Sequence, residues 1–418
     1  MKDLIFYGLA SSLNKAAGFL IIPILAMFLS VSDYGDLSLI FIVSQLIIPI
    51  VTINICSVIS RFVYSNPSAV FIFVSFLNGV LFFILSISLF LCLFFSPLNN
   101  IFIAVSIFVL SEALFTVNST LIRFRTGAQN YFRLNFFKFL ILISFLTLTY
   151  FYNKNSLNSL NFILVLFSLS NVVILSITIR LCAFSKKTLK HIKKEVVKFK
   201  SFFYFSLMLI PHILSQWIIS GSDRFIVKEI LGGESLGIYS FSYSISAIFM
   251  IFNSALALAL PQICVRRFEY FCTKRFFITL FIGVTIVWFV FTYLVYNYFP
   301  YNHFPYNRYE VNDNFFIISL GLYVLSFYYY YSSILFFKLE SKFLSFLTFS
   351  IAILNVVLTI LCVDNYGVIG AAFSTFISYF IYMLIVAISC VKDIGILFFY
   401  PVLVIILILI FKYGLYYV

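Results

Sequence analysis

Along the chain, apolar residues gather into long runs cut by short polar breaks. Taken in order the runs are Leu4 to Leu29, Leu37 to Ser60, Ala69 to Phe95, Ile101 to Ile122, Tyr131 to Tyr152, Leu157 to Ile179, Phe202 to Ile219, Leu236 to Leu260, Phe276 to Phe299, Phe315 to Phe337, Phe343 to Val363 and Val368 to Val391; Ile396 to Phe411 forms a thirteenth. Each is close to the ~20 apolar residues that a helix needs to cross a bilayer. The breaks carry loop-forming residues: Ser32-Asp33-Tyr34-Gly35, Asn66-Pro67, Ser96 to Asn100, Asn153-Lys154-Asn155 and Asp364-Asn365-Tyr366-Gly367. The pattern predicts an all-α polytopic membrane protein of twelve spans with an additional C-terminal transmembrane helix.

One stretch, Phe202 to Gln262, stands out as a membrane hairpin. Its two apolar arms flank Ser220-Gly221-Ser222-Asp223-Arg224-Phe225, which reads as a polar hinge where Gly221 permits a break. The start of its second arm, Leu236-Gly237-Ile238-Tyr239-Ser240-Phe241, aligns with Tyr34-Gly35-Asp36-Leu37-Ser38-Leu39, so that Gly35 and Gly237 lie 202 residues apart. A match at roughly half the chain length predicts two related lobes.

Composition confirms the class and narrows the partners. With 63% hydrophobic and 10% charged residues, and a mean hydropathy of +1.12, the chain has too little polar surface to cover a water-soluble globule of 418 residues. The aromatic content of 21% suits lipid-facing packing and interfacial belts. Seven cysteines, Cys56, Cys92, Cys182, Cys264, Cys272, Cys362 and Cys390, show neither metal-ligand spacing nor a disulfide framework. Residues 1–10 lack a basic segment followed by a cleavage site, which predicts that the first run is kept as a span.

The basic residues set the expected orientation. If the N-terminus is cytoplasmic, roughly 21 of the 27 Lys and Arg fall inside, among them Arg61, Arg123, Arg125, Arg133, Lys138 and the Arg180 to Lys200 run. The net charge of +13 is thereby a matter of topology, and no nucleic-acid partner is needed to explain it. The expected domains are an N-terminal six-helix lobe (1–182), a basic cytoplasmic linker (183–200), a C-terminal six-helix lobe (201–391) and the extra helix (392–418).

Ionisable groups deep in a span are costly, and they usually face a cavity or a partner. Three residues read as mid-span: Lys15, Glu112 and His212. At ~1.5 Å per residue, Lys15 and Glu112 both lie ~17 Å deep, at matching depth. They are either a structural pair or a cavity wall on which Glu112 sets the charge of Lys15 or couples to an ion. His212, after Pro211, is either a core histidine on a kinked helix or proton-linked. Asp223 and Arg224 read as a solvated turn with local ion pairs or as a gate. Arg61, Arg123 and Arg125 read as positive-inside anchors or as a collector of anionic lipid head groups.

These residues resemble a known family. Leu13-Asn14-Lys15, Gly18-Phe19-Leu20, Pro23 and Asp33-Tyr34-Gly35 look like the N-terminal signature of the O-antigen, or Wzx-type, flippases of the multidrug/oligosaccharidyl-lipid/polysaccharide exporter superfamily. Pro211, Ser220 to Phe225 and Leu236 to Ser240 look like its central signature, and Tyr366 to Ala372 like its late one. The resemblance implies a V-shaped pair of six-helix bundles related by pseudo-twofold symmetry, as in MATE and MurJ proteins. It also implies flipping of undecaprenyl-diphosphate-linked O-antigen repeat units between leaflets of a bacterial inner membrane, in lipopolysaccharide biosynthesis. Expected partners are that lipid, membrane lipids, an O-antigen polymerase and a chain-length regulator, with no cofactor. Lys15 matches the cationic central cavity of such flippases; the second lobe has no mid-span Lys or Arg to match it.

The expected substrate-binding residues are therefore Lys15, Arg61, Arg123, Arg125 and Arg224, and the coupling or gating residues Glu112, His212 and Asp223. Two other classes share some features. A cation-coupled drug antiporter of the same superfamily should have an acidic cavity. An O-antigen polymerase or ligase should have one long periplasmic loop, whereas the longest outside loop here, about Pro300 to Asn314, is short. No catalytic constellation is visible in the sequence.

Overall fold

A bilayer interior offers no water to bond the backbone, so a long apolar run must satisfy its N–H and C=O groups within itself, as a helix. The structure, a computed structural model, describes residues 24–94, 101–152, 159–181, 199–299, 304, 306, 308–338, 340–395 and 399–414, and among these every regular element is a helix. Nine of the described helices are long and apolar enough to cross a membrane. The chain is a multi-pass membrane protein. The first expected span, Leu4 to Leu29, lies outside the described residues except for 24–29, and Lys15 with it. The described residues form two compact units, 28–217 and 218–418 with 24–27.

The first unit contains α1 (Val31–Val51), α2 (Ile55–Phe62), α3 (Pro67–Phe94), α4 (Ile101–Thr126), α5 (Ala128–Tyr152), α6 (Leu160–Leu181) and the first part of α7 (Phe199–Leu231). Helix α4 is its centre and packs on α6, α3, α5, α2 and α1. Ala113, Leu114 and Val117 of α4 meet Val58, Val74 and Phe202 in one buried core.

The second unit contains the remainder of α7, α8 (Gly233–Ser246), α9 (Phe249–Arg266), α10 (Phe268–Phe271), α11 (Lys274–Tyr298), α12 (Arg308–Phe337), α13 (Ser341–Ser389), α14 (Val391–Ile394) and α15 (Phe399–Gly414). Helix α12 is enclosed by α13, α9, α8 and α11. Because protein and not lipid surrounds it, it carries small polar groups that bond its neighbours. Ser326 donates to Asn253 Oδ1 at 2.6 Å, Asn253 donates to the Leu322 carbonyl at 2.8 Å, and the Trp288 indole donates to the Ser319 carbonyl at 3.1 Å. The run expected at Ile396 to Phe411 is the helix α15.

Several expected boundaries move. Ser32 to Gly35, read as a loop, is the first turn of α1: Ser30 caps it, accepting from the Asp33 amide at 3.1 Å. The run Leu37 to Ser60 is broken at Thr52 to Asn54, where Ile53 and Asn54 have φ of 50° and 45°. Pro49 lacks the N–H of a continuing ladder, and the Asn54 amide instead bonds the Pro49 carbonyl at 2.6 Å. The expected hinge at Ser220 to Phe225 does not exist: α7 runs unbroken through Gly221, Asp223 and Arg224, and stops at Gly232, whose φ is +87°. Only glycine takes that backbone conformation without strain. Leu236 to Leu260 is likewise divided, by a turn at Ala247 and Ile248.

The Tyr366-Gly367 break is a true reversal. Gly367 has φ 64° and ψ −142°, and the arms of α13 pair across it: Thr359 bonds Ser374 at 2.8 Å and Asn355 bonds Ser378 at 3.1 Å. The two internally matched segments also take the same local form. They open α1 at Val31 and α8 at Gly233, again 202 residues apart, and Tyr34 and Leu236 are both fully buried.

A candidate binding cavity and a buried aspartate

In the first unit α1, α4, α5 and α6 line a partly open cavity of about 440 Å³. Glu112 of α4 stands on its wall, opposite Lys138 of α5, and the ammonium bonds both carboxylate oxygens at 2.9 Å. Asn171 of α6 donates to the same carboxylate at 2.8 Å and to the Ser111 hydroxyl at 3.2 Å. The Lys138 nitrogen also lies 3.9 Å from the centre of the Phe115 ring, a cation–π contact. The side chains of Glu112 and Lys138 remain 24% and 15% exposed, so the pair is only partly dry.

Around this pair the wall alternates aromatic and neutral polar groups. Phe41, Phe108 and Phe167 meet edge to face with centroids 5.0 to 6.1 Å apart. Ser44, Thr116, Ser119 and Thr120 donate to carbonyls of their own helices, which keeps their hydroxyl lone pairs available. Asn135 of α5 is 3% exposed and lines the cavity. Its amide nitrogen donates to the Tyr131 carbonyl at 2.8 Å, and its Oδ1 has no hydrogen-bond partner among the described residues.

The mid-span trio read from the sequence therefore changes. Glu112 finds its cation in Lys138, a residue counted as a cytoplasmic anchor although it lies inside the α5 run. Lys15 lies outside the described residues. His212 belongs to α7, but its side chain lies outside what is described. Lys138 lies seven residues, ~10 Å, into the Tyr131 to Tyr152 run, too shallow for the depth argument that selected Glu112; Asn135 and Asn171 carry no comparable sequence signal.

In the second unit Asp223 is fully buried and Arg224 is 5% exposed, which excludes a solvated turn. The carboxylate accepts from the Tyr239 hydroxyl of α8, from the Arg224 amide at 2.8 Å and from Thr375 of α13 at 3.4 Å. One aspartate thereby ties three helices together. The Arg224 guanidinium lies 4.2 Å from the Tyr243 ring centre and donates to the Ser220 carbonyl at 3.3 Å.

The remaining predicted residues gather at one end of the first unit. Arg61 is in the last turn of α2, and Arg123 and Arg125 are in the last turn of α4, where a cation complements the helix dipole. Tyr64 bonds the Phe124 carbonyl at 3.3 Å and brings the two ends together. Arg123 lies over Phe124 and Tyr131, and Arg125 over Phe71.

Comparison with solved structures places this architecture. The chain superposes on the lipid II flippase MurJ in an inward closed conformation with a TM-score of 0.65 at 15% identity, covering 97% of this chain and 92% of that one. An inward-facing multidrug resistance MATE family transporter of the MOP superfamily gives 0.62 at 12% identity, covering 93% and 95%. A mutant of the Vibrio cholerae MATE transporter VcmN gives 0.57 at 12% identity, covering 95% and 98%. No family model matches the chain, and no curated protein matches its sequence. The fold is thus the one shared by a lipid flippase and by drug transporters of the MOP superfamily.

Proposed function

We propose that the protein flips an undecaprenyl-diphosphate-linked O-antigen repeat unit, or a related surface polysaccharide unit, from the cytoplasmic to the periplasmic leaflet of a bacterial inner membrane by alternating access. The observation that carries this reading is the charge state of the cavity wall. Its carboxylate, Glu112, is already neutralised by Lys138, and the groups beside it are hydroxyls, amides and rings. Such a wall suits the neutral, polar glycan part of that lipid better than a cation.

In this reading the exposed arginines Arg61 and Arg125, with Arg123, collect the anionic head group, and Lys15 holds the diphosphate. Asp223 fixes α7, α8 and α13 as one element, and H⁺ or Na⁺ coupling falls to Glu112 or Asp223. An O-antigen polymerase and a chain-length regulator act on the product. Deleting the gene in its host should trap lipid-linked single repeat units on the cytoplasmic side; accumulation on the periplasmic side would instead mark a polymerase. Replacing Lys15 with Ala should abolish surface polysaccharide while the protein still inserts.

A cation-coupled drug antiporter is the second reading, and the similarity to MATE transporters favours it. It predicts tight binding of cationic dyes by the purified protein, and the neutral wall predicts weak binding.

A further inference from the structure

The orphaned acceptor on the cavity wall is the observation that the proposed function leaves unused. A buried amide oxygen without a donor is uncommon, because leaving it unpaired costs about 1–3 kcal/mol. Asn135 Oδ1 is in that condition, and its orientation is fixed by the bond its nitrogen makes to Tyr131. Asn135 is one of the residues lining a space of about 440 Å³, within the ~300–1,000 Å³ range of small-molecule sites.

Most of the wall's side-chain donors are already engaged, and the exposed Gln45 amide of α1 is the one left to offer among those described. The hydroxyls of Ser44, Thr116, Ser119 and Thr120 spend their protons on their own helices. The Lys138 ammonium and the Asn171 amide both point at Glu112. What remains, beside the Gln45 amide, is an array of acceptors between aromatic faces. A fitting ligand carries many O–H donors, has a flat apolar face for the rings, and has no net charge. An anion would have to displace Glu112 from Lys138, and a cation would meet a pair that is already balanced.

We infer that this cavity is a glycan subsite that takes one pyranose ring of the lipid-linked oligosaccharide, with Asn135 Oδ1 and the Glu112 carboxylate accepting from its hydroxyls. The inference rests on the flippase reading and deepens it. It separates two tasks in one substrate, because sugar recognition falls to α4 and α5 of the first unit and diphosphate binding falls elsewhere. Lys138 and Asn171 hold the Glu112 carboxylate in place for the sugar. Lys138 and Asn171 are then positioning residues, and Asn135 is a specificity residue.

The test is saturation-transfer NMR on the detergent-solubilised full chain with three probes, the methyl α-pyranosides of glucose, N-acetylglucosamine and rhamnose. Tetraphenylphosphonium and inorganic pyrophosphate serve as rivals. Transfer to the ring protons of at least one pyranoside is expected, with affinity lowered about tenfold in Asn135→Leu. Leu142→Trp, which fills the cavity without touching a hydrogen bond, should abolish it.

No transfer to any pyranoside, or transfer that survives both substitutions, overturns the subsite. So does tetraphenylphosphonium binding that Leu142→Trp removes, or pyrophosphate binding that it removes. Proteoliposomes then separate this inference from the reading beneath it, using fluorescent polyprenyl diphosphate with and without an attached oligosaccharide. The ratio of glycosylated to bare lipid translocated should fall several-fold in Asn135→Leu. An unchanged ratio removes the subsite and leaves the flippase. A wild-type protein that translocates neither lipid removes the flippase reading itself, and the inference with it.

Discussion

Lys138→Met is the most informative single substitution, because it removes the ammonium while keeping the aliphatic stem against Phe115. Among the described residues Glu112 would then keep only the Asn171 amide at 2.8 Å as a partner. Truncating one member of a fully buried ion pair costs about 3–5 kcal/mol, whereas an exposed pair contributes about 0–1. With 24% and 15% of the two side chains exposed, this pair falls between those limits. A loss of about 2 kcal/mol is expected, and somewhat less for Glu112→Gln, which keeps the acceptor for Asn171. The double variant Glu112→Gln/Lys138→Met leaves no unpaired charge, so its loss should be smaller than the sum by about 1–2 kcal/mol. Reversible unfolding in mixed micelles by SDS titration, followed by far-UV circular dichroism, measures all four corners of the cycle. Additivity to within about 0.5 kcal/mol would show that each charge is separately solvated, and the reasoning about a balanced cavity wall would fail.

Other substitutions probe the second unit. A Cβ on Gly370 would stand 2.0 Å from the Cys362 carbonyl oxygen, so Gly370→Ala must spread the α13 hairpin. The yield of monodisperse protein should collapse, while Gly283→Ala, with open space around it, should hold or gain about 1 kcal/mol. Tyr239→Phe removes the bond from α8 to the Asp223 carboxylate and should cost about 1.5–3 kcal/mol in the same SDS titration; an unchanged midpoint would mean that the aspartate does not tie the helices. At the junction after α12, Lys338 bonds Asp393 at 2.6 Å, and this bond holds the ammonium above its usual pKa. A raised value means that the contribution to stability is complete below the unfolded lysine pKa of ~10.4 and is lost as pH rises through the folded one. The melting difference between wild type and Asp393→Asn should therefore persist at neutral and mildly alkaline pH and vanish in strong alkali, once the ammonium has lost its proton.

The all-helical class was legible because bilayer thickness and backbone satisfaction leave so few choices for a long apolar run. The breaks were harder. Gly367 sits in a polar tetrapeptide and was read correctly, but Ser220 to Phe225 has the same look and is mid-helix. Its polar groups are bonded by Tyr239 and Thr375, residues 16 and 152 positions away, and no local pattern distinguishes a buried polar turn of helix from a loop. The break at Ile53 and Asn54 was invisible for the opposite reason, since a β-branched residue rarely takes a positive φ. In the cavity, Glu112 was legible from its depth alone. Its partner was masked by the habit of assigning every lysine near a span end to a loop, and Asn135 became noticeable only once its oxygen was found without a donor.

The enclosed position of α12 bears on how the chain enters the membrane. Its mean hydropathy of 1.3 is the lowest of the nine candidate spans, and 89% of that window is buried in protein. In the finished molecule its Ser326 bonds Asn253 of α9 and its Ser319 carbonyl accepts from Trp288 of α11, but a nascent segment leaving the ribosome has no such neighbours. The translocation machinery should hold this segment back until α8 to α11 are already in place beside it. Biogenesis of the second half therefore proceeds by recruitment of a reluctant helix to a waiting cradle, and truncations that remove α9 should leave the α12 segment outside the bilayer.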